Sequence, residues 1–372
     1  MFFAREEILF PSTLDQALKP PQKPAALDRL WEKLAKGRGM VAEGEKHYSF
    51  SRPEAEAYAS YYLPANALKT ALVLEEAHLL GVDVLGDKAE WLDFGTGPGT
   101  AYWGLAWWAQ ARKKALKFTG WDQSNLFTDI ASRLVAKSPF PARANFLAGG
   151  KEDAIALARR LQPTHISFVN SIAEIYPNPT KRLEACRTLL RILGDASAKD
   201  GQPRYLLIIE PGSRESSREL AELKDALKVP VMLPCLGERA CGALAKPTDW
   251  CHEEVACRFP DWLNEMGEGA GLRKESMLFS YALIPVGVSA TLSGSRVVSQ
   301  RLERKGQVEC WICSAEGKKF ARVQRSKAPA DADLILNACR GDIFSSLMLA
   351  EKGDLGSGAL VTAKEKSIFD FA

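Results

Sequence analysis

The stretch Asp93-Phe94-Gly95-Thr96-Gly97-Pro98-Gly99-Thr100 decides how the rest of the chain is read. Glu90 to Phe94 before it has strand character, and Ala101 to Leu116 after it has helical character. Glycines between a strand and a helix let the backbone take positive φ and approach a ligand closely. The helix start beyond Thr100 offers free N–H groups. A pyrophosphate loop would read G-x-G-x-x-G. Here G-x-G-x-G follows Asp93, whose carboxylate would repel a pyrophosphate. S-adenosylmethionine suits the loop better, because it carries no phosphate and its sulfonium and ammonium favour an acidic strand end.

Working outward, Phe118 to Trp121 reads as a second strand, and Gly120-Trp121-Asp122 puts a carboxylate where it can bond both ribose hydroxyls. Trp121 or Gln123 is placed to flank the adenine. Helix Asn125–Ala136, strand His165–Asn170, helix Lys181–Leu193, strand Tyr205–Glu210 and helix Ser216–Leu227 follow. Such alternation implies a parallel, doubly wound α/β sheet. Chemistry in that architecture sits at the carboxyl end of the His165–Asn170 strand, which reads Phe168-Val169-Asn170-Ser171-Ile172-Ala173-Glu174. It holds neither a base-orienting Asn/Asp-Pro-Pro-aromatic run nor a cysteine nucleophile. Asn170 is a candidate ligand of the cofactor, Glu174 reads equally as a first-turn helix acid, and no catalytic residue is assigned.

The flanks divide the 372 residues into three parts. Residues 1–88 form an N-terminal helical region, with helical spacing at Ala26–Leu34 and Pro53–Leu80. Residues 89–290 form the α/β domain, which Ser276–Val286 completes as a returning strand. Residues 230–275 break the periodicity and read as a cysteine-rich insertion. Residues 291–372 form a basic extension with a β-hairpin, Gln307–Ile312 and Lys319–Gln324, around Ser314–Gly317; the last ~40 residues carry no assignable fold. A net charge of +3 points to no partner. No apolar run reaches the ~20 residues of a membrane helix, and Met1–Thr13 reads as neither signal nor transit peptide, so a cytoplasmic monomer is expected.

Thiols stay reduced in that compartment, so clustered cysteines suggest metal or catalysis. Cys235-x5-Cys241-x9-Cys251-His252 lies in the irregular stretch. Its donors suit zinc or an iron–sulfur cluster, with a fourth ligand from Cys257, Cys310, Cys313 or His252. Between Arg296 and Lys327, nine basic residues face only Glu303, Glu309 and Glu316. The arm Lys318, Phe320, Arg322, Gln324 alternates with Lys319, Ala321, Val323, Arg325, so one face is available to a phosphate backbone.

Several of these stretches together resemble the mitochondrial small-ribosomal-subunit assembly methyltransferase-like family and its bacterial relatives, within the class I S-adenosylmethionine-dependent methyltransferases. They are Tyr61-Tyr62-Leu63-Pro64-Ala65, Leu92 to Ala101, Leu207 to Ser213, Pro234-Cys235 to Cys241, Asp249-Trp250-Cys251-His252 and Phe279-Ser280-Tyr281. The resemblance implies a small-subunit assembly factor that contacts ribosomal RNA. It also implies a four-iron–four-sulfur cluster on Cys235, Cys241, Cys251 and Cys313. The prolines that usually follow the first two cysteines are replaced by Leu236 and Gly242. The cofactor ligands expected are Asp93, Gly95, Gly97, Gly99, Asp122, Gln123 and Asn170. The alternative is an active methyltransferase on RNA or a small molecule, with structural zinc in the cysteine insertion.

Overall fold

The computed structural model describes residues 6–32, 50–237, 240–268, 271–272, 274–288, 292–327, 333–350, 353–362 and 366–371. The doubly wound α/β sheet is present, with eight strands in the order β1-β7-β8-β6-β5-β2-β3-β4. They are β1 Ile8–Leu9, β2 Ala89–Phe94, β3 Leu116–Asp122, β4 Arg143–Ala148, β5 His165–Val169, β6 Arg204–Pro211, β7 Glu253–Arg258 and β8 Ser276–Val286. Strands β4, β3, β2, β5 and β6 run parallel; β8 is antiparallel to both β6 and β7. The order reverses between β2 and β5, and a crevice at such a point is where open α/β sheets bind ligands.

The helices are α1 Ser12–Leu18, α2 Arg52–Leu79, α3 Thr100–Ala111, α4 Asn125–Val135, α5 Lys151–Leu161, α6 Ile172–Ile175, α7 Pro179–Asp200, α8 Arg214–Leu227, α9 Asp261–Glu268 and α10 Asp333–Leu336. The expected helix Ala26–Leu34 is helical over 27–32, and its end lies outside the described residues. Ser51 starts α2: the Glu54 carboxylate accepts from its backbone N–H at 2.7 Å and its hydroxyl at 2.8 Å. Helices α2 and α3 share one core with the sheet-face residues Trp91, Leu207, Ile209, Phe279 and Tyr281. The alternate residues Leu92, Phe94, Leu206, Ile208 and Ala282 pack with α5, α7 and α8 on the other face. Helix α3 is buried on nearly every side, which is why it is apolar all round. Gly104 makes that possible: a Cβ there would stand 1.9 Å from the Ala67 carbonyl oxygen of α2.

Two strand–helix pairs are not apparent from sequence. Strand β4 is an edge strand with mostly exposed or half-buried residues, so Arg143-Ala-Asn-Phe-Leu-Ala148 shows no apolar run. Strand β7 and α9 lie within 230–275, so the irregular excursion narrows to the segment between α8 and β7. In β7 the inward positions are Glu253, Val255 and Cys257; a buried glutamate hides the period.

That glutamate is explained by the C-terminal unit. A second sheet contains β9 Ser295–Val297, β10 Leu302–Arg304, β11 Gln307–Ser314, β12 Gly317–Gln324, β13 Ile343–Leu349 and β14 Leu355–Leu360. The hairpin β11–β12 pairs as expected, Ser314 opposite Gly317, and Ala321 and Val323 face the small core with Val308, Cys310 and Phe344. Residues beyond 332, which carried no assignment, supply β13 and β14 of this sheet. From β9, Arg296 reaches Glu253 at 2.8 Å and Glu76 of α2 at 2.9 Å, and Tyr281 donates to Glu76. Although burial alone would raise it, the Arg296 guanidinium holds Glu253 well below the usual carboxylate range. The tail Ile368–Phe371 returns to the first unit, where Ile368 N–H donates to Glu75 and Phe369 lies 5.1 Å from Trp107.

Candidate cofactor and cysteine sites

Strand β2 carries Asp93 to the glycine loop, which folds back on β3 through Gly95 and Thr96 N–H donation to the Trp121 carbonyl at 2.8 and 3.0 Å. Gly95, Gly97 and Gly99 take φ of 67°, 54° and 88°. At Gly95 a Cβ would strike Ser171 Cβ at 2.5 Å, whereas around Gly97 there is open space. The first glycine therefore serves packing, and the second leaves room for a ligand. Asp122 accepts from Gly97 N–H and Ser124 N–H, each at 2.8 Å, and burial raises its pKa. Both bonds fix the carboxylate at the loop mouth with lone pairs to spare.

Asp93 is 1% exposed. Ser167 donates to its Oδ1 at 2.5 Å and itself accepts from Trp91 Nε1 at 2.7 Å, while Oδ2 has no partner. Burial pushes the Asp93 carboxyl up to about 7. Asn170 follows β5 with φ 56°; its N–H donates to the Ile209 carbonyl at 2.7 Å and its side-chain Oδ1 is buried without a partner. Such orphaned acceptors call for explanation, and a donor-bearing cationic ligand over the loop would satisfy them. Gln123 is exposed. Trp121 differs from expectation: it is buried against Phe94 in the sheet core, so it cannot flank an adenine. Ser167, which orients Asp93, was legible only as a polar residue inside an apolar strand.

The cysteines converge in part. Lys224 Nζ of α8 donates to Cys235 Sγ at 3.1 Å. Burial alone would lower the Lys224 pKa; Cys235, Cys241 and Cys251 around it raise it above the ordinary lysine value. Burial pushes the Cys251 thiol up to about 12. Lys224 occupies the inward stripe of α8 with Leu220, Leu223 and Leu227, a position where a lysine is the signal sequence reading passed over. A small pocket of about 10 Å³ adjoins it, lined by Lys224, Cys251, His252, Glu253, Ser217 and Ser280 among others. The Ser217 and Ser280 hydroxyls and His252 Nδ1 have no partner there.

Cys313 lies on the docked hairpin: its cross-strand partner Lys318 stands 2.7 Å from where a Cβ on Gly242 would be, and Gly242 follows Cys241. Lys318 Nζ also donates to Asp249 at 2.5 Å. Cys257 and Cys310 are buried in the cores of their own sheets, and neither belongs to this group. All eight cysteines are free thiols. Among the described residues, no group of three or more His, Cys, Asp or Glu is arranged to hold a metal ion.

The basic segment is largely neutralised within the protein. Arg296 is buried with Glu76 and Glu253, so it is not available to a nucleic acid. Arg304 pairs with Glu309, Lys318 with Asp249, Lys319 with Glu316, and Arg322 with Asp354; Arg301 and Arg325 both pair with Glu303. Sequence counting missed Asp249 and Asp354, because both are distant in the chain. Among the described residues no helix is long and apolar enough to cross a membrane.

Comparison with known proteins places these features in context. A family model described as the mitochondrial small ribosomal subunit Rsm22 matches residues 52–355. No curated protein matches the chain directly. Among solved structures, a Geobacter sulfurreducens SAM-dependent methyltransferase in complex with S-adenosyl-L-homocysteine is 17% identical, with 59% of this chain and 93% of that chain covered and a TM-score of 0.33. An Aquifex aeolicus SAM-dependent methyltransferase is 17% identical over 63% of this chain and 100% of that one, TM-score 0.31. A Bacillus cereus O-methyltransferase in complex with S-adenosylhomocysteine is 11% identical over 73% and 94%, TM-score 0.32.

Proposed function

From the premise that the chain belongs to the Rsm22 family, described as mitochondrial small ribosomal subunit, we propose that it is an assembly factor of the small ribosomal subunit. In this reading it contacts ribosomal RNA and carries two groups. One is S-adenosylmethionine, held by Asp93, Gly95, Gly97, Gly99, Asp122, Gln123 and Asn170. Asp93 and Asn170, each with an orphaned acceptor, fit its ammonium and sulfonium. The other is a four-iron–four-sulfur cluster on Cys235, Cys241, Cys251 and Cys313.

What supports the second assignment is that Lys224 donates to Cys235 at 3.1 Å and also feels the charges of Cys241 and Cys251, while Lys318, the cross-strand partner of Cys313, packs on Gly242 beside Cys241. Thiolates are the donors such a cluster takes, and a cationic side chain among them offsets the charge of the sulfurs. When bound, the cluster would join the segment before β7 to the C-terminal sheet, as structural metal sites do when their binding contributes folding energy. Lys224 would remain a charge partner and hydrogen-bond donor to Cys235.

Iron and sulfide analysis of anaerobically purified protein tests the cluster. A brown protein with about four irons per chain is expected; a colourless protein with one zinc would replace that reading. Co-sedimentation with small-subunit precursors tests the partner, and a chain found only in the soluble fraction during assembly would count against it.

A further inference from the structure

We propose that helix α8 is a preformed cradle for the metal centre: Arg218, Lys224 and Asp225 hold the segments that carry Cys235, Cys241 and Cys251 in place before any metal arrives, and Lys224 offsets the charge of the thiolates. This rests on the metal reading of the cysteines and adds the residues that position them.

Helix α8 has two buried stripes. Leu220, Leu223 and Leu227 pack into the core below it. Ser217, Ala221 and Lys224, at helical spacing, form the second stripe and are buried as well. Arg218 and Asp225 flank it, two turns or about 10 Å apart along the axis. A buried polar stripe costs free energy unless its groups find partners. The charged members find theirs in the cysteine segments. Arg218 donates to the carbonyls of Lys246 at 2.9 Å, Asp249 at 2.8 Å and Ala243 at 3.5 Å. Lys224 Nζ donates to Cys235 Sγ at 3.1 Å. Both oxygens of Asp225 accept from the Cys241 N–H, each at 3.0 Å.

Arg218 therefore fixes the run between Cys241 and Cys251, while the adjacent Lys224 and Asp225 fix Cys235 and Cys241. Cys251 meets the same stripe, lining one small cavity with Ser217, Ala221 and Lys224. The thiols of Cys241 and Cys251 take no part in these bonds, which leaves them free to ligate. Among the described residues neither Arg218 nor Lys224 is paired with a carboxylate, so both charges are available to offset thiolates that would otherwise repel one another on a shared metal. A site already ordered by folding loses less freedom on binding.

The test uses the full chain, metal-free under reducing anaerobic conditions and then loaded with iron and sulfide or with zinc. By hydrogen exchange, the amides of residues 240–251 in the metal-free chain should exchange roughly tenfold or more slowly than in Arg218→Ala or Asp225→Ala. Lys224→Met should release bound metal to a chelator about tenfold faster, whereas Lys224→Arg, which keeps the charge, should stay within about threefold of the unaltered chain. Exchange in the metal-free chain as fast as in Arg218→Ala would overturn the cradle, and equal metal retention by Lys224→Met would overturn the charge role of Lys224. Metal uptake without that protection removes the cradle and leaves the metal reading standing. Protection without uptake of either metal removes the metal reading, and the cradle with it.

Discussion

Arg296 and Glu76, 220 residues apart in sequence, meet at 2.9 Å with neither side chain more than 2% exposed. Glu253 completes the group from the sheet. A strand of the C-terminal unit thereby inserts its charge between the long N-terminal helix and β7. Without that guanidinium two buried carboxylates would lose the cation between them and repel each other. Removing one member of a buried pair costs about 3–5 kcal/mol. Arg296→Met should destabilise the chain by that amount in urea unfolding, and a loss below about 1 kcal/mol would contradict the account.

Asp93 yields a stability prediction with a defined sign. Its folded pKa, about 7, lies above the ordinary value of 3.8. The folded state therefore binds this proton more tightly, and stability is lost as pH rises from about 4 to about 7. Asp93→Asn removes that cost. It should raise the melting temperature at pH 8 and leave it nearly unchanged at pH 4, with a gain on the order of a few kcal/mol at the upper end. Equal effects at both pH values would exclude a titrating Asp93.

The same substitution separates stability from cofactor binding. A cationic ligand prefers the ionised carboxylate, so S-adenosylmethionine affinity should fall about tenfold per pH unit below 7. Asp93→Asn should abolish that slope, and Asp122→Ala should weaken binding with the metal content intact. Calorimetry across pH 5–8 measures both effects; a flat profile for the unaltered chain would remove Asp93 from the site.

Cys313 and Cys310 lie three residues apart on β11 and should behave differently. Cys313→Ser should lose iron and melt earlier, because bound metal contributes to folding. Cys310→Ser sits in the small core and should cost stability with iron content unchanged. Iron retained in Cys313→Ser would require another fourth ligand.

Gly104→Ala tests the helix crossing. The added methyl would stand 1.9 Å from the Ala67 carbonyl oxygen, in backbone that has no free side chain to move aside. A loss of about 3 kcal/mol or more is expected in chemical denaturation. A near-neutral variant would mean that α2 and α3 can separate at little cost.

Much of this was readable in the chain itself. A strand ending in Asp93, three glycines and an apolar helix specify the loop locally, since positive φ and strand–helix periodicity need no distant partner. Buried strands such as Tyr205–Glu210 announce themselves by unbroken apolar runs. Tertiary structure decided the rest. Strand β4 is an edge and β7 hides a glutamate, so neither shows the expected pattern until its neighbours are known. Lys224 meets Cys235 and the charges of Cys241 and Cys251, and the basic segment from Arg296 onward becomes mostly ion-paired, only when Asp249, Asp354, Glu76 and Glu253 arrive from other elements. Periodicity records which face of an element is buried; what a buried charge meets is set by contacts between residues hundreds of positions apart.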